Sequence, residues 1–120
     1  MNLCYFFRKP RFPIICNIDG NVIAAKSEKA FVKYISDYIY PVDSFYPIID
    51  VSGEGWTFNP EHMLISPITM KKRWTKKEII TMFNDRKNNS SNLTYSVKSI
   101  SAKRFDRIFQ KIVELLIKNP

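Results

Sequence analysis

The densest group of chemistry-bearing side chains in the sequence is Lys71-Lys72-Arg73-Trp74-Thr75-Lys76-Lys77, with five positive charges around one tryptophan. Cations gathered on one face with an aromatic among them suit a phosphodiester backbone and its bases, so Lys71, Lys72, Arg73, Lys76 and Lys77 are candidate nucleic-acid contacts. Lysines at a helix N-terminus oppose the helix dipole, which adds a reason for an anion to sit there. Lys103, Arg104, Arg107 and Lys111 add a partial basic stripe further along. The competing reading makes Trp74 a hydrophobic staple and the lysines the solvated face of a helix. No RNP-like aromatic motif, helix-turn-helix or zinc-finger spacing accompanies the cluster.

A second group is acidic. Asp43, Asp50, Glu54 and Glu61 are interleaved with Phe45, Tyr46, Trp56 and Phe58. Carboxylates beside large aromatics can neutralise a basic protein partner while the rings anchor it. Asp50, Glu54, Trp56 and Glu61 are therefore the candidate protein-contact residues. Catalytic groupings are thin by comparison. The single histidine, His62, stands beside Glu61 in a Pro-bounded turn, so a two-histidine mechanism is excluded. No Cys/His cluster has metal-ligand spacing, and the three glycines at 20, 53 and 55 form no phosphate cradle, so neither metal nor cofactor is expected. Cys4 and Cys16 lie in apolar segments and are expected as buried free thiols. The expectation is a chain that is not an enzyme.

The 120 residues, 45% of them apolar and 14% aromatic, suit one folded α+β domain over 1–120 and exclude a natively disordered chain. The net charge of +8 is unevenly placed: +3 over residues 1–11, −4 over 12–69 and +9 over 70–120. Such a balance favours nucleic acid or an acidic partner, and it also serves solubility. No apolar run reaches the roughly 20 residues of a membrane span, and Met1 to Phe7 lacks the flanks of a signal peptide. A cytoplasmic chain with no membrane partner is expected.

The elements that must position these groups follow from pattern. Phe12 to Ile18 and Val22 to Ala25 read as strands joined at Asp19-Gly20, a strong hairpin signal. Ser27 caps a helix whose apolar face runs Ala30, Phe31, Tyr34, Ile35, Tyr38 and Ile39, stopped by Pro41. Phe45 to Val51, Trp56 to Phe58 and Met63 to Ile68 read as antiparallel strands. Thr75-x-x-Glu78 has capping-box spacing and opens a helix to Asn84. Leu93 to Val97 reads as a short strand, and Ser101 caps a last helix to about Ile117. The order β-β-α-β-β-β-α-β-α gives an antiparallel sheet of five or six strands with three helices packed on it.

The segments IIDVSGEGWTF, WTKKEIITMFN and SAKRFDRIFQKIVELL, with the chain length and the Asn/Lys/Ile-rich usage, resemble small bacterial immunity proteins of contact-dependent growth inhibition systems. That resemblance implies no catalysis and tight 1:1 binding to one cognate toxin domain, often a nuclease, whose active site is blocked. In this reading the acidic-aromatic residues Asp50, Glu54, Trp56 and Glu61 are the expected contact surface. Inhibitors of basic nucleases are often acidic, and a chain at +8 departs from that pattern. The alternative is a basic nucleic-acid-binding accessory protein acting through Lys71, Lys72, Arg73, Lys76 and Lys77.

Overall fold

A computed structural model gives the architecture and describes residues 2–38, 40–41, 43–68, 73–89, 92–96 and 102–118. Six strands, β1 (Cys4–Tyr5), β2 (Ile14–Ile18), β3 (Asn21–Ala25), β4 (Tyr46–Asp50), β5 (Gly55–Asn59) and β6 (Leu64–Pro67), form one sheet in the order β1-β6-β5-β4-β2-β3. Helices α1 (Glu28–Ile35), α2 (Lys76–Asn84) and α3 (Phe105–Lys118) pack on it, as an α+β fold requires.

Period-two alternation sorts the strand residues between two cores. On one face Ile14, Cys16, Ile48, Trp56, Phe58 and Ile65 meet Phe31 and Ile35 of α1. Phe31 and Phe58 pack edge to face at 5.2 Å. On the other face Ile15, Val22, Ala24 and Ile49 meet Ile79, Ile80 and Phe83 of α2 and Ile108, Phe109, Ile112, Val113 and Leu116 of α3. The continuous apolar run of β2 reflects burial on both sides.

Local signals act as their chemistry dictates. The β2–β3 hairpin turns on Asp19 and Gly20 at φ 53° and 94°, the left-handed pair that an Asp-Gly turn supplies. A side chain at Gly20 would also strike Lys87 at 2.8 Å. Ser27 Oγ accepts from the Ala30 amide, and Thr75 and Glu78 complete their capping box. Trp74, next before the cap, packs in the same core as Ile79 four residues past it, the staple arrangement.

Four expectations are corrected. The sheet is mixed, because β1 pairs parallel with β6 along Cys4↔Leu64 and Tyr5↔Ile65. α1 ends at Ile35, where the Tyr40 hydroxyl donates to the Ile35 carbonyl at 2.8 Å and takes over a C-terminal acceptor. Tyr40 then turns back onto Tyr46 and Phe58. Residues 93–96 form no strand. The amide side chains of Asn84 and Asn89 bond the main chain of Tyr95 and Leu93 in both directions, in place of a neighbouring strand. Finally, α3 starts at Phe105 rather than just after Ser101, which lies outside the described residues, as does Ile39.

Candidate interaction surface

The acidic-aromatic group is divided between the interior, where Asp50, Glu54, Tyr46, Trp56 and Phe58 are buried, and the surface, where Asp43, Phe45 and Glu61 are exposed. Asp50 is buried at the end of β4 with a full set of donors. Its Oδ1 accepts from the Ser52 and Glu54 amides and the Ser52 hydroxyl, and its Oδ2 from Trp56 Nε1 at 3.0 Å and the Arg11 amide. The carboxylate thus closes the β4–β5 turn and ties down the indole, whose ring is 0% exposed. Glu54 is buried as well and holds the Arg8 guanidinium in a two-pronged ion pair. That pair raises the Arg8 pKa above its ordinary value. Arg8 also lies over the Trp56 ring, 4.8 Å from its centroid. Asp50 and Trp56 are therefore internal, used to hold a turn and fill a core, and of the four expected contact residues Glu61 alone is fully at the surface.

The basic group is divided. Arg73 bridges to Glu54 in the main chain and donates to the Ser52 carbonyl at 2.9 Å, so it serves the same turn. Lys77 is exposed on the first turn of α2 and Lys76 is half-buried beside it. Lys71 and Lys72 lie outside the described residues. Cys16 is buried as expected, but Cys4 is exposed on the edge strand, and both are free thiols. His62 is exposed, and no cluster of three or more metal-ligand side chains occurs among the described residues. No described helix is long and apolar enough to cross a membrane.

What the residue pattern left unread is a half-open sheet. The strands that contribute to the core under α2 and α3 are β2, β3 and β4; β5, β6 and β1 contribute nothing to it. On that same face the register aligns Pro47, Thr57 and Ser66 in one row, and the buried Asn59 with Leu64 and Cys4 in the next. Thr57 and Ser66 join hydroxyls at 3.0 Å. Alternation puts Phe45 next to Pro47 at one end and Phe6 beyond Cys4 at the other, 61% and 51% exposed. Phe45 borders the turn that carries Glu61, because Tyr46 pairs with Phe58, and Asp43 precedes it by two residues. A hollow of about 230 Å³ lined by Tyr40, Pro41, Pro60 and Glu61 lies at this end.

The Phe6 end is held differently. Phe7 is 85% exposed and sits at φ 70°, the middle of a three-residue turn closed by the Arg8 amide on the Phe6 carbonyl at 2.9 Å. A left-handed, solvent-facing phenylalanine costs roughly 1–3 kcal/mol in backbone strain and persists where neighbours over-determine it. The Arg8 clamp on Glu54 and Trp56 is that neighbour. Phe6-Phe7 beside Arg8 and the W-T-F alternation of β5 were the sequence signals that could have found this surface.

Compared with known proteins, the chain matches no family model, no curated protein and no solved structure.

Proposed function

We propose that the chain is a non-catalytic protein-binding module of the immunity type, which docks one cognate toxin domain on the open half of its sheet and blocks that domain's active site. The observation that carries this reading is that, among the described residues, the face of β5, β6 and β1 adds nothing to the core under α2 and α3, while Phe45 and Phe6 stand exposed at opposite ends of it. Exposed aromatics on a rigid sheet are anchors that lose little freedom when a partner covers them. The partner this surface suits is a basic protein domain. Asp43 and Glu61 flank Phe45, and Asp19 lies at the same end of the sheet, where the Tyr46 hydroxyl bonds it at 3.4 Å. Three of the chain's eleven acidic residues thus lie at the end where Phe45 is presented, with Lys87 against the Asp19-Gly20 turn, and the three carboxylates would complement cations on a partner. Glu61 stays in the contact set, and Phe45, Pro47, Thr57, Leu64 and Ser66 take the place of Asp50 and Trp56.

The test is to look for an exported toxin reading frame beside the gene and, with the toxin domain so found or with a partner captured from the native lysate, to score co-expression by growth and the purified pair by calorimetry. Protection with a 1:1 complex is expected, and Phe45→Ser with Glu61→Lys should lose it by a faster off-rate while melting like the parent. A chain that neither protects nor binds sinks the reading. Unchanged affinity in the double variant would move the contact off the open face.

A further inference from the structure

Apart from the sheet face, a groove of about 730 Å³ runs between the 93–96 segment and α3. Lys103, Arg104, Arg107 and Lys111 line it, together with Tyr95 and Leu115. No carboxylate is among its described lining residues, and Arg104 makes an exposed 3.5 Å contact with Asp106. Arg107 and Lys111 are one turn apart on α3, about 6 Å along its axis. The opposite wall is fixed in advance. Asn84 and Asn89 hold the Tyr95 and Leu93 main chain in both directions, and the buried Arg86 donates to the Leu93 carbonyl at 3.1 Å.

We infer that this groove is a site for single-stranded nucleic acid, distinct from the partner surface on the sheet. Four cations with no lining acid supply the phosphate contacts. Two planar guanidinium groups and the half-buried Tyr95 ring offer faces on which bases can stack, the leucines add apolar surface beside them, and the exposed Thr94 lies on the same wall. The volume is that of a small-ligand site, room for roughly one or two nucleotides of one strand. An acidic peptide would satisfy the charges but leave the apolar surface unused. The basic 71–77 cluster is not needed, because Arg73 is engaged at the β4–β5 turn.

Fluorescence anisotropy of a labelled oligouridine RNA with the full chain tests this. Micromolar binding near about 50 mM salt is expected, with log affinity falling against log salt at a slope of about −0.7 for each phosphate contacted. Arg107→Gln with Lys111→Gln should weaken binding roughly tenfold and flatten that slope by one to two contacts. Tyr95→Leu, which keeps the apolar packing, should weaken binding roughly tenfold and leave the slope unchanged. Lys77→Gln should leave both intact. The inference is overturned by absence of binding at low salt, by equal affinity in the groove variants, or by loss confined to Lys77→Gln. Displacement by a glutamate-rich peptide as effective as by unlabelled RNA also overturns it, in favour of an acidic protein segment.

Discussion

The two halves of one sheet face are built from different residues, and the difference reports what lies above each. Under α2 and α3 the face reads Ile15, Val22, Ala24 and Ile49, all buried. From the start of β4 across β5, β6 and β1 it reads Pro47, Thr57, Ser66, Leu64 and Cys4, half-buried or exposed, with Asn59 the buried residue among them. The opposite face is apolar along the whole sheet, from Ile14 and Cys16 through Ile48, Trp56 and Phe58 to Ile65. A single strand can therefore be solid core on one side and open surface on the other. β5 is the sharpest instance, since Trp56 and Thr57 are neighbours in sequence and face opposite ways.

That contrast is most easily broken within β5. Trp56→Ala should cost about 3–5 kcal/mol, through the cavity it leaves and the donor it removes from Asp50. Thr57→Ala should cost about 1 kcal/mol, because the half-buried hydroxyl loses only its contacts with the Ser66 hydroxyl and carbonyl. Urea unfolding of the two variants reads the difference directly. A Thr57 variant as costly as the Trp56 one would mean that something covers this half of the sheet.

The same contrast explains how much the sequence disclosed. The Asp-Gly hairpin, the Ser27 cap and the Thr75 capping box are local, and each acts within a few residues of where it is read. The α+β class follows from their order. Leu93 to Tyr95 has strand-like residue types, yet its hydrogen bonds go to Asn84 and Asn89, a tertiary choice with no local signature. β1 is two residues long and pairs with a strand some sixty positions away, too little pattern to read. The candidate contact set went astray for a related reason. Asp50 and Trp56 look like a protein-binding pair because carboxylates and indoles serve interfaces, but the same groups close turns and fill cores. Only the cross-strand register and the tight β4–β5 turn, with the Asp50 carboxylate beneath it, decide between those uses.

The covered half depends on helices being held at their starts, which gives a middle-sized effect. Thr75→Ala removes the acceptor for the Glu78 amide and one arm of the capping box. It should lower stability by about 1 kcal/mol in thermal or denaturant unfolding. Ser66→Ala on the open half has no element above it to loosen and should change stability by less than about 0.5 kcal/mol. If the two variants unfold alike, α2 is not what secures the covered half.

The smallest perturbation compares the two thiols. Cys16 is buried between the sheet and α1, and burial pushes its pKa well above the ordinary thiol range, because the thiolate has no water or cation to stabilise it. Cys4 stands exposed on the edge strand of the open half. Iodoacetamide should therefore modify one thiol per native chain, at Cys4, and two after unfolding, as mass spectrometry of the peptides would register. The sign of the pH effect follows from the raised value. Cys16 stays protonated in the fold as pH climbs through the range where an unfolded thiol ionises, so it remains inert at about pH 9. Its stabilising share is complete below the unfolded pKa and declines above it, as the unfolded chain begins to release that proton. Labelling of Cys16 in the native chain at rates near those of Cys4 would show that the core beneath α1 opens readily, and the sheet would then have no closed side against which to define an open one.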